Sequence, residues 1–199
     1  MTRLVVGLGN PGPEYEWTPH NLGFHALEKL ARDRKLIFGT SSVLGAFKPP
    51  APCRAARDEA RDAWLVQPLT FMNASGTVVA PLARSLGIAP EGIFVVFDDI
   101  DLPLGALRIR PHGGTGGHNG VRSIVHALDS DRFPRLRIGV GRSRTDAARH
   151  VLSSFDGESR KVAEISVAHA AEALDAWLDC GDLERVMSRF HSRWKDLGT

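Results

Sequence analysis

The segment from Gly7 to Asn21, G-L-G-N-P-G-P-E-Y-E-W-T-P-H-N, gathers an amide (Asn10), a phenol (Tyr15) and an imidazole (His20) in one short stretch. These groups suit chemistry at a carbonyl, because an imidazole exchanges a proton near neutral pH while an amide and a phenol fix polar atoms. Gly7, Gly9 and Gly12 also fit the G-x-G-x-x-G spacing of a dinucleotide loop and follow the apolar run Leu4-Val5-Val6. Such a loop needs a helix to begin at once, so that its free N–H groups meet a pyrophosphate. Pro11, Pro13 and Pro19 follow instead. Proline lacks the N–H and drives the preceding residue out of helical conformation. The expectation is a stiff loop running from a strand end to about His20, with Asn10, Tyr15 and His20 on one wall.

Two more segments carry chemical potential. Asp98-Asp99-Ile100-Asp101 closes the apolar run I-F-V-V-F. Its carboxylates admit three readings: a Mg²⁺ site drawing on substrate phosphates, an acid orienting a histidine, or a cap on a solvated turn. Asp98, at the strand end, is the member placed to orient a histidine, with Asp99 on the other face. His112 to Gly120, H-G-G-T-G-G-H-N-G, lets backbone approach a ligand closely and opens a helix near Asn119 whose N–H groups favour an anion. A flexible hinge is the alternative. His118 reads as a ligand, a base or a structural hydrogen-bond partner at the helix start. Trp17, Trp64 and Trp177 read as packing, whereas Tyr15 and Phe71 lie in loops where they could stack a base or ribose.

Other devices are missing from the sequence: G-x-S-x-G, H-E-x-x-H, G-x-x-x-x-G-K-[ST] and C-x-x-C. Cys53 and Cys180 are too few for a disulfide framework or a tetrahedral zinc site. No apolar run approaches the ~20 residues of a membrane span, and the expectation is a chain that enters its first strand directly, with no signal peptide. Net charge is only +2, yet residues 101–150 hold nine arginines against four aspartates. Arginine favours forked contacts to phosphate, so this quarter suits an acidic substrate.

The elements that must position these groups alternate. Strands are expected at Arg3–Leu8, Ala63–Gln67, Ile93–Asp98, Ala106–Arg110 and Leu136–Val140, with one more at Val43–Phe47 or Cys53–Arg57. Helical periodicity marks Asn21–Asp33, Ala74–Leu86 and Asn119–Leu128, and a tail of two helices split at Gly181, the second capped by Asp182. This is an α/β pattern, a three-layer sandwich with a central sheet flanked by helices. The loops at Gly9–His20, Pro68–Asn73, Asp98–Pro103 and Pro111–Asn119 all follow strands and are expected to gather at one rim.

The segments G-L-G-N-P-G-P-E-Y-E-W-T-P-H-N-L-G, T-F-M-N-A-S-G, D-D-I-D-L-P-L-G and G-G-T-G-G-H-N-G-V-R-S-I occur here in the order and spacing of the bacterial-type peptidyl-tRNA hydrolases. R-F-P-R-L-R-I-G-V-G at 132–141 and a helical tail extend the likeness nearly end to end, as one domain over 1–199. The resemblance implies hydrolysis of the ester between a peptide and the 3′ ribose of tRNA, recycling tRNA from stalled chains. It also implies a cytoplasmic monomer with a mixed twisted sheet and no metal or organic cofactor. The partner would be the 3′ CCA end and acceptor stem of peptidyl-tRNA, not a membrane. By position, His20 resembles the base, Asp98 the acid that holds it and Asn10 the reader of the peptide amide. Tyr15, Phe71, Asn73 and Asn119 resemble substrate-channel residues, and Arg110 and Arg137 a clamp on the tRNA 5′-phosphate. Pro19 departs from the pattern, which usually has Arg there; this removes a rim charge and stiffens the approach to His20. The residues leave two other readings, a non-catalytic RNA-binding relative and a nucleotide-dependent enzyme using the glycine triplet.

Overall fold

The computed structural model describes residues 1–40, 51–142 and 147–191. Its frame is a seven-stranded sheet, built from β1 (Arg3–Gly7), β2 (Gly39–Thr40), β3 (Cys53–Asp58), β4 (Ala63–Pro68), β5 (Ile93–Asp99), β6 (Leu107–Arg110) and β7 (Arg135–Gly139). The spatial order is β2-β3-β4-β1-β5-β7-β6. The four central strands β4, β1, β5 and β7 run parallel, and both margins are antiparallel. The sheet is therefore mixed, and the parallel centre is where both faces must be apolar. That condition is met by V-V in β1 and I-F-V-V-F in β5, whose residues are all buried through Asp99.

Alternation along these strands divides the core into two layers. Val5, Phe94, Val96, Leu136 and Ile138 face α1 (Leu22–Asp33), α5 (Gly157–Cys180) and α6 (Leu183–His191). Leu4, Val6, Val95 and Phe97 face α2 (Gly76–Ser85) and α3 (Asn119–Leu128). A further short helix, α4 (Ala147–Val151), precedes α5. Gly181 ends α5 with φ of 68°, and its N–H reaches the Trp177 carbonyl at 2.8 Å. Asp182 then accepts from the Arg185 N–H at 3.0 Å, so the expected break and cap of the tail are both present.

Element boundaries shift by one or two residues from the sequence reading. The additional strand is the one at Cys53, while the alternative at Val43–Phe47 lies outside the described residues. Neither β2 nor α4, both very short, was expected. The loop geometry needs a larger correction. Loops after β1, β4 and β5 do leave from one rim, but β6 is antiparallel, with Arg110 opposite Arg135 at the start of β7. The segment 111–118 thus departs from the opposite rim and climbs the α3 face of the sheet. Arg135 holds it part-way, donating to the Gly114 carbonyl at 3.0 Å. It arrives at the carboxyl rim only at His118.

The glycine triplet serves packing. A Cβ on Gly7 would sit 2.3 Å from the Gly23 carbonyl oxygen, and one on Gly9 would sit 2.6 Å from the Phe24 ring. Gly7 and Gly23 let β1 and the first turn of α1 touch backbone to backbone, which fixes where the preceding His20 stands. Gly7→Ala is expected to destabilise the fold by about 1–3 kcal/mol or more through overpacking against backbone that cannot step aside. A urea midpoint equal to that of the parent would remove this contact from the account.

Candidate active site

Asp98 is the last inward-facing residue of β5 on the α1 face, and its side chain is 1% exposed. One oxygen, Oδ1, meets two histidines: His20 Nδ1 at 2.8 Å and His118 Nε2 at 3.0 Å. His20 comes from the α1 layer, on a 3-10 turn (Pro19–Asn21) that opens into α1. His118 comes from the α3 layer, as the N-cap of α3. The two rings stand edge to face with centroids 5.2 Å apart, and His118 also packs on Phe97 at 4.9 Å.

Hydrogen bonding assigns the protons. His118 Nδ1 accepts from the Val121 N–H at 3.3 Å, so its ring proton lies on Nε2 and points at Asp98. His20 Nδ1 likewise donates to the carboxylate. Its Nε2 has no hydrogen-bond partner among the described residues and is left as an acceptor. Burial opposes ionisation of Asp98, but the hydrogen bonds donated by His118 and His20 outweigh it and hold this carboxyl well below the usual range. The ligand atoms of His20, Asp98 and His118 lie within 4.8 Å of one another, close enough to suggest a cation site. Both nitrogens facing the carboxylate carry protons, so the group as built is a hydrogen-bonded relay.

A cleft of about 650 Å³ opens beside this relay, lined among others by His20, Asp98, Arg110, Asn119, Arg135 and Arg137. The climbing glycine loop forms one wall, with Gly113, Gly116 and Gly117 at positive φ. Arg137 is half-buried and paired with Asp99, which does lie on the other face of β5 from Asp98. Arg110 is exposed and makes no ion pair among the described residues. Arg135 was not singled out from the sequence, because an arginine at a strand start reads as solvated. It is 2% exposed, with Phe133 stacked 4.2 Å away. It donates to the carbonyls of Gly114, Asp131 and Phe133. Burial pushes its pKa down to about 10, so it still carries its charge at neutral pH. Alternation with Arg137 along β7 was the signal that could have found it.

The remaining candidates fall elsewhere. Asn10 is buried on a second cavity, on the far side of His20 and Asn21. Its backbone is bonded twice to the Asn21 side chain, and its Oδ1 accepts from the Met72 N–H at 2.9 Å, leaving the NH₂ to be presented. Asn119 is similar: its Oδ1 accepts from Arg122 at 2.5 Å. Tyr15, Phe71 and Asn73 line neither cavity. Tyr15 is half-buried at the end of a 3-10 turn, while Phe71 is 62% exposed and Asn73 is exposed beside it. Trp17 packs, as expected, but between two polar side chains: the His25 ring stacks at 3.8 Å and the Arg160 guanidinium lies 3.2 Å over the ring. Pro19 is buried at the first position of its turn, where a missing N–H costs nothing.

Comparison with known proteins decides the family. The family model described as peptidyl-tRNA hydrolase matches residues 4–197. The chain belongs to the peptidyl-tRNA hydrolase family. A peptidyl-tRNA hydrolase of Lactococcus lactis is 39% identical over 193 residues, covering 96% of this chain and all of that protein. One from Geobacillus thermodenitrificans is 41% identical, covering 87% of this chain and 91% of its own. The crystal structure of peptidyl-tRNA hydrolase from Acinetobacter baumannii superposes with a TM-score of 0.84 at 33% identity, over 96% of this chain and 94% of that one. Among the described residues no helix is long and apolar enough to cross a membrane.

The depressed Asp98 pKa fixes the sign of a pH effect. Its stabilising contribution is fully present above the unfolded carboxylate pKa of about 4 and is lost as pH falls through the lower folded value. Asp98→Asn should therefore differ most from the parent in unfolding free energy above about pH 4, the gap closing in stronger acid. A gap that is constant with pH would show that the charge contributes nothing.

Proposed function

We propose that this protein hydrolyses the ester joining a peptide to the 3′ ribose of tRNA, with His20 as general base. The observation that carries this reading is the free Nε2 of His20, made an acceptor by the Nδ1–H bond to Asp98 at 2.8 Å. Water attacking an acyl carbon must lose a proton as it bonds, and a positioned imidazole supplies roughly 10²–10⁴-fold by taking it. The ionised Asp98 then stabilises the imidazolium that forms, and His118 keeps the carboxylate from turning away. No redox step or second nucleophile is required.

The other groups have consistent roles. Asn10 and Asn119 both have their amide oxygens engaged and their NH₂ groups available. Asn10 would donate to the carbonyl of the peptide bond next to the ester. A free aminoacyl-tRNA offers an ammonium there and leaves the amide unpaired, a discrimination worth on the order of 10⁴. Asn119, with Asn73, would donate to the developing oxyanion or to polar groups beside it. Tyr15 and Phe71 would flank the incoming substrate. Arg137, Arg135 and Arg110 descend along the sheet from the relay over ~10 Å, on the basis of strand rise, a spacing that suits the polyanionic acceptor stem. Arg137 and Arg110 are the pair read as the 5′-phosphate clamp. On this reading the protein acts as a cytoplasmic monomer, needs no metal or organic cofactor and gains affinity that weakens with salt.

The test uses N-acetylaminoacyl-tRNA, free aminoacyl-tRNA and EDTA. Release of tRNA from the blocked substrate alone, indifferent to chelator, is expected. His20→Ala should lose at least ~10²-fold in kcat while binding tRNA almost as before; full turnover in that variant refutes the assignment. Arg110→Ala should raise KM several-fold with kcat held and should flatten the dependence on salt by about one phosphate contact. An unaltered salt slope would take Arg110 out of the clamp.

A further inference from the structure

The register of the outermost strand pair brings four arginines together. Arg108 on β6 lies directly opposite Arg137 on β7, and Arg110 lies opposite Arg135. Residues directly opposed in an antiparallel pair present their side chains on one face, so the four guanidinium groups form a two-by-two block at the sheet margin. Its rows are ~7 Å apart along the strands and ~5 Å across them. Leu107 and Ile109 alternate with these arginines and pack on the other face, in the layer of α5 and α6. Like charges placed directly opposite each other destabilise a sheet, and the chain supplies counter-charge only in part. Asp99 pairs with Arg137, and Asp131 acts on Arg135 from a greater distance. Asp101 is taken by Arg142 at 2.7 Å, and His112 in the cleft wall brings no negative charge. Arg108, exposed like Arg110, makes no ion pair among the described residues.

We infer that Arg108 binds an internal phosphodiester of the tRNA acceptor stem, beyond the terminal 5′-phosphate assigned to Arg110 and Arg137. The inference rests on the hydrolase reading above. Arg110, Arg135 and Arg137 line the cleft, whereas Arg108 stands outside that lining, on the strand at the open edge of the sheet. A small anion would be satisfied by the three arginines within the cleft. A cation that continues their block across the sheet edge suits a ligand whose charges repeat at short intervals, which is what a nucleic-acid backbone offers. Substrate entering the cleft by its terminal end would carry its next phosphates out over this margin. A forked guanidinium there would hold phosphate oxygens without reading a base, so its contribution is affinity common to all tRNAs rather than choice among them. The same contact would relieve the repulsion between Arg108 and Arg137 that the unliganded strand pair carries.

The experiment measures Kd of the full chain for deacylated tRNA over a range of salt, with the 5′-phosphate present and after its removal. Arg108→Ala should weaken binding about fivefold at low salt, as befits one exposed ion contact, and should flatten the salt dependence by about one phosphate. Both effects should persist on tRNA lacking the 5′-phosphate, where the effect of Arg110→Ala should shrink. Arg108→Lys, which keeps the charge but not the fork, should retain most of the salt slope. In steady-state hydrolysis of N-acetylaminoacyl-tRNA the loss in Arg108→Ala should lie in KM, and it should disappear on an N-acetylaminoacyl-CCA fragment that has no stem. An unchanged Kd and salt slope in Arg108→Ala overturns the inference. So does a loss that vanishes with the 5′-phosphate, which would move Arg108 into the clamp, or one shared in proportion by the stemless fragment, which would mark damage to the fold. Failure of the parent to cleave N-acetylaminoacyl-tRNA would overturn the hydrolase reading instead, and the Kd measurements would still decide whether Arg108 holds the stem.

Discussion

One oxygen atom organises the active end of this molecule. Asp98 Oδ1 receives an N–H from each of two histidines that belong to opposite layers of the sandwich. A buried carboxylate is costly unless it is satisfied, and here satisfaction requires both helical layers to be docked on the sheet at once. The bond to His118 does not compete with the bond to His20; it fixes the carboxylate from behind so that the second N–H finds it already oriented. Because the ring of His118 is itself fixed by the Val121 N–H, the chain of proton assignments runs from the start of α3 to the exposed nitrogen of His20. Removing any link would leave the last nitrogen free to bind its proton on the wrong side.

Backbone packing supplies the rest of that precision. His20 sits one turn before the point where α1 crosses β1, and the crossing is as close as two glycines allow: a Cβ on Gly23 would sit 2.4 Å from the Val96 carbonyl oxygen and 2.5 Å from the Leu8 nitrogen. Helix and strand cannot slide there without a collision. Asn21 extends the same control to the other wall by clamping the backbone of Asn10. The turn that holds His20 therefore also sets its distance to Asn10, and on the roles proposed above, base and amide reader, a rigid pair of this kind is what selection between closely related acyl substrates demands.

Much of this was legible in the sequence because it rests on local rules. Period-two and period-3.6 patterns located the central strands and the longer helices, and the prolines after Gly9 correctly argued against a nucleotide loop. Asp98 at a strand end and His20 on a stiff loop could be paired as candidates. What stayed hidden depended on tertiary direction. Strand β6 gives no sign of running antiparallel, so the glycine segment was placed at the wrong rim at its start. Arg135 reads as a surface residue until the Gly114, Asp131 and Phe133 carbonyls are brought around it. His118 offered three roles, and only the simultaneous positions of Val121 and Asp98 reduce them to one.

The two arginines of β7 show how burial and charge divide labour in the cleft. Arg137 is paired with Asp99, so its field at the substrate is partly cancelled and its value lies in geometry. Arg135 faces only carbonyl oxygens within hydrogen-bonding range, which satisfy its N–H groups without cancelling its charge. A buried cation with no carboxylate in hydrogen-bonding range, opposed only by the more distant Asp131, acts through protein rather than through water, so on the proposed function its attraction for a phosphodiester is screened less than that of exposed Arg110. Burial lowers its pKa to about 10, far enough above neutrality to leave it charged. On the proposed function, an acceptor stem would meet the exposed charge of Arg110 first and the less screened charge of Arg135 beneath it.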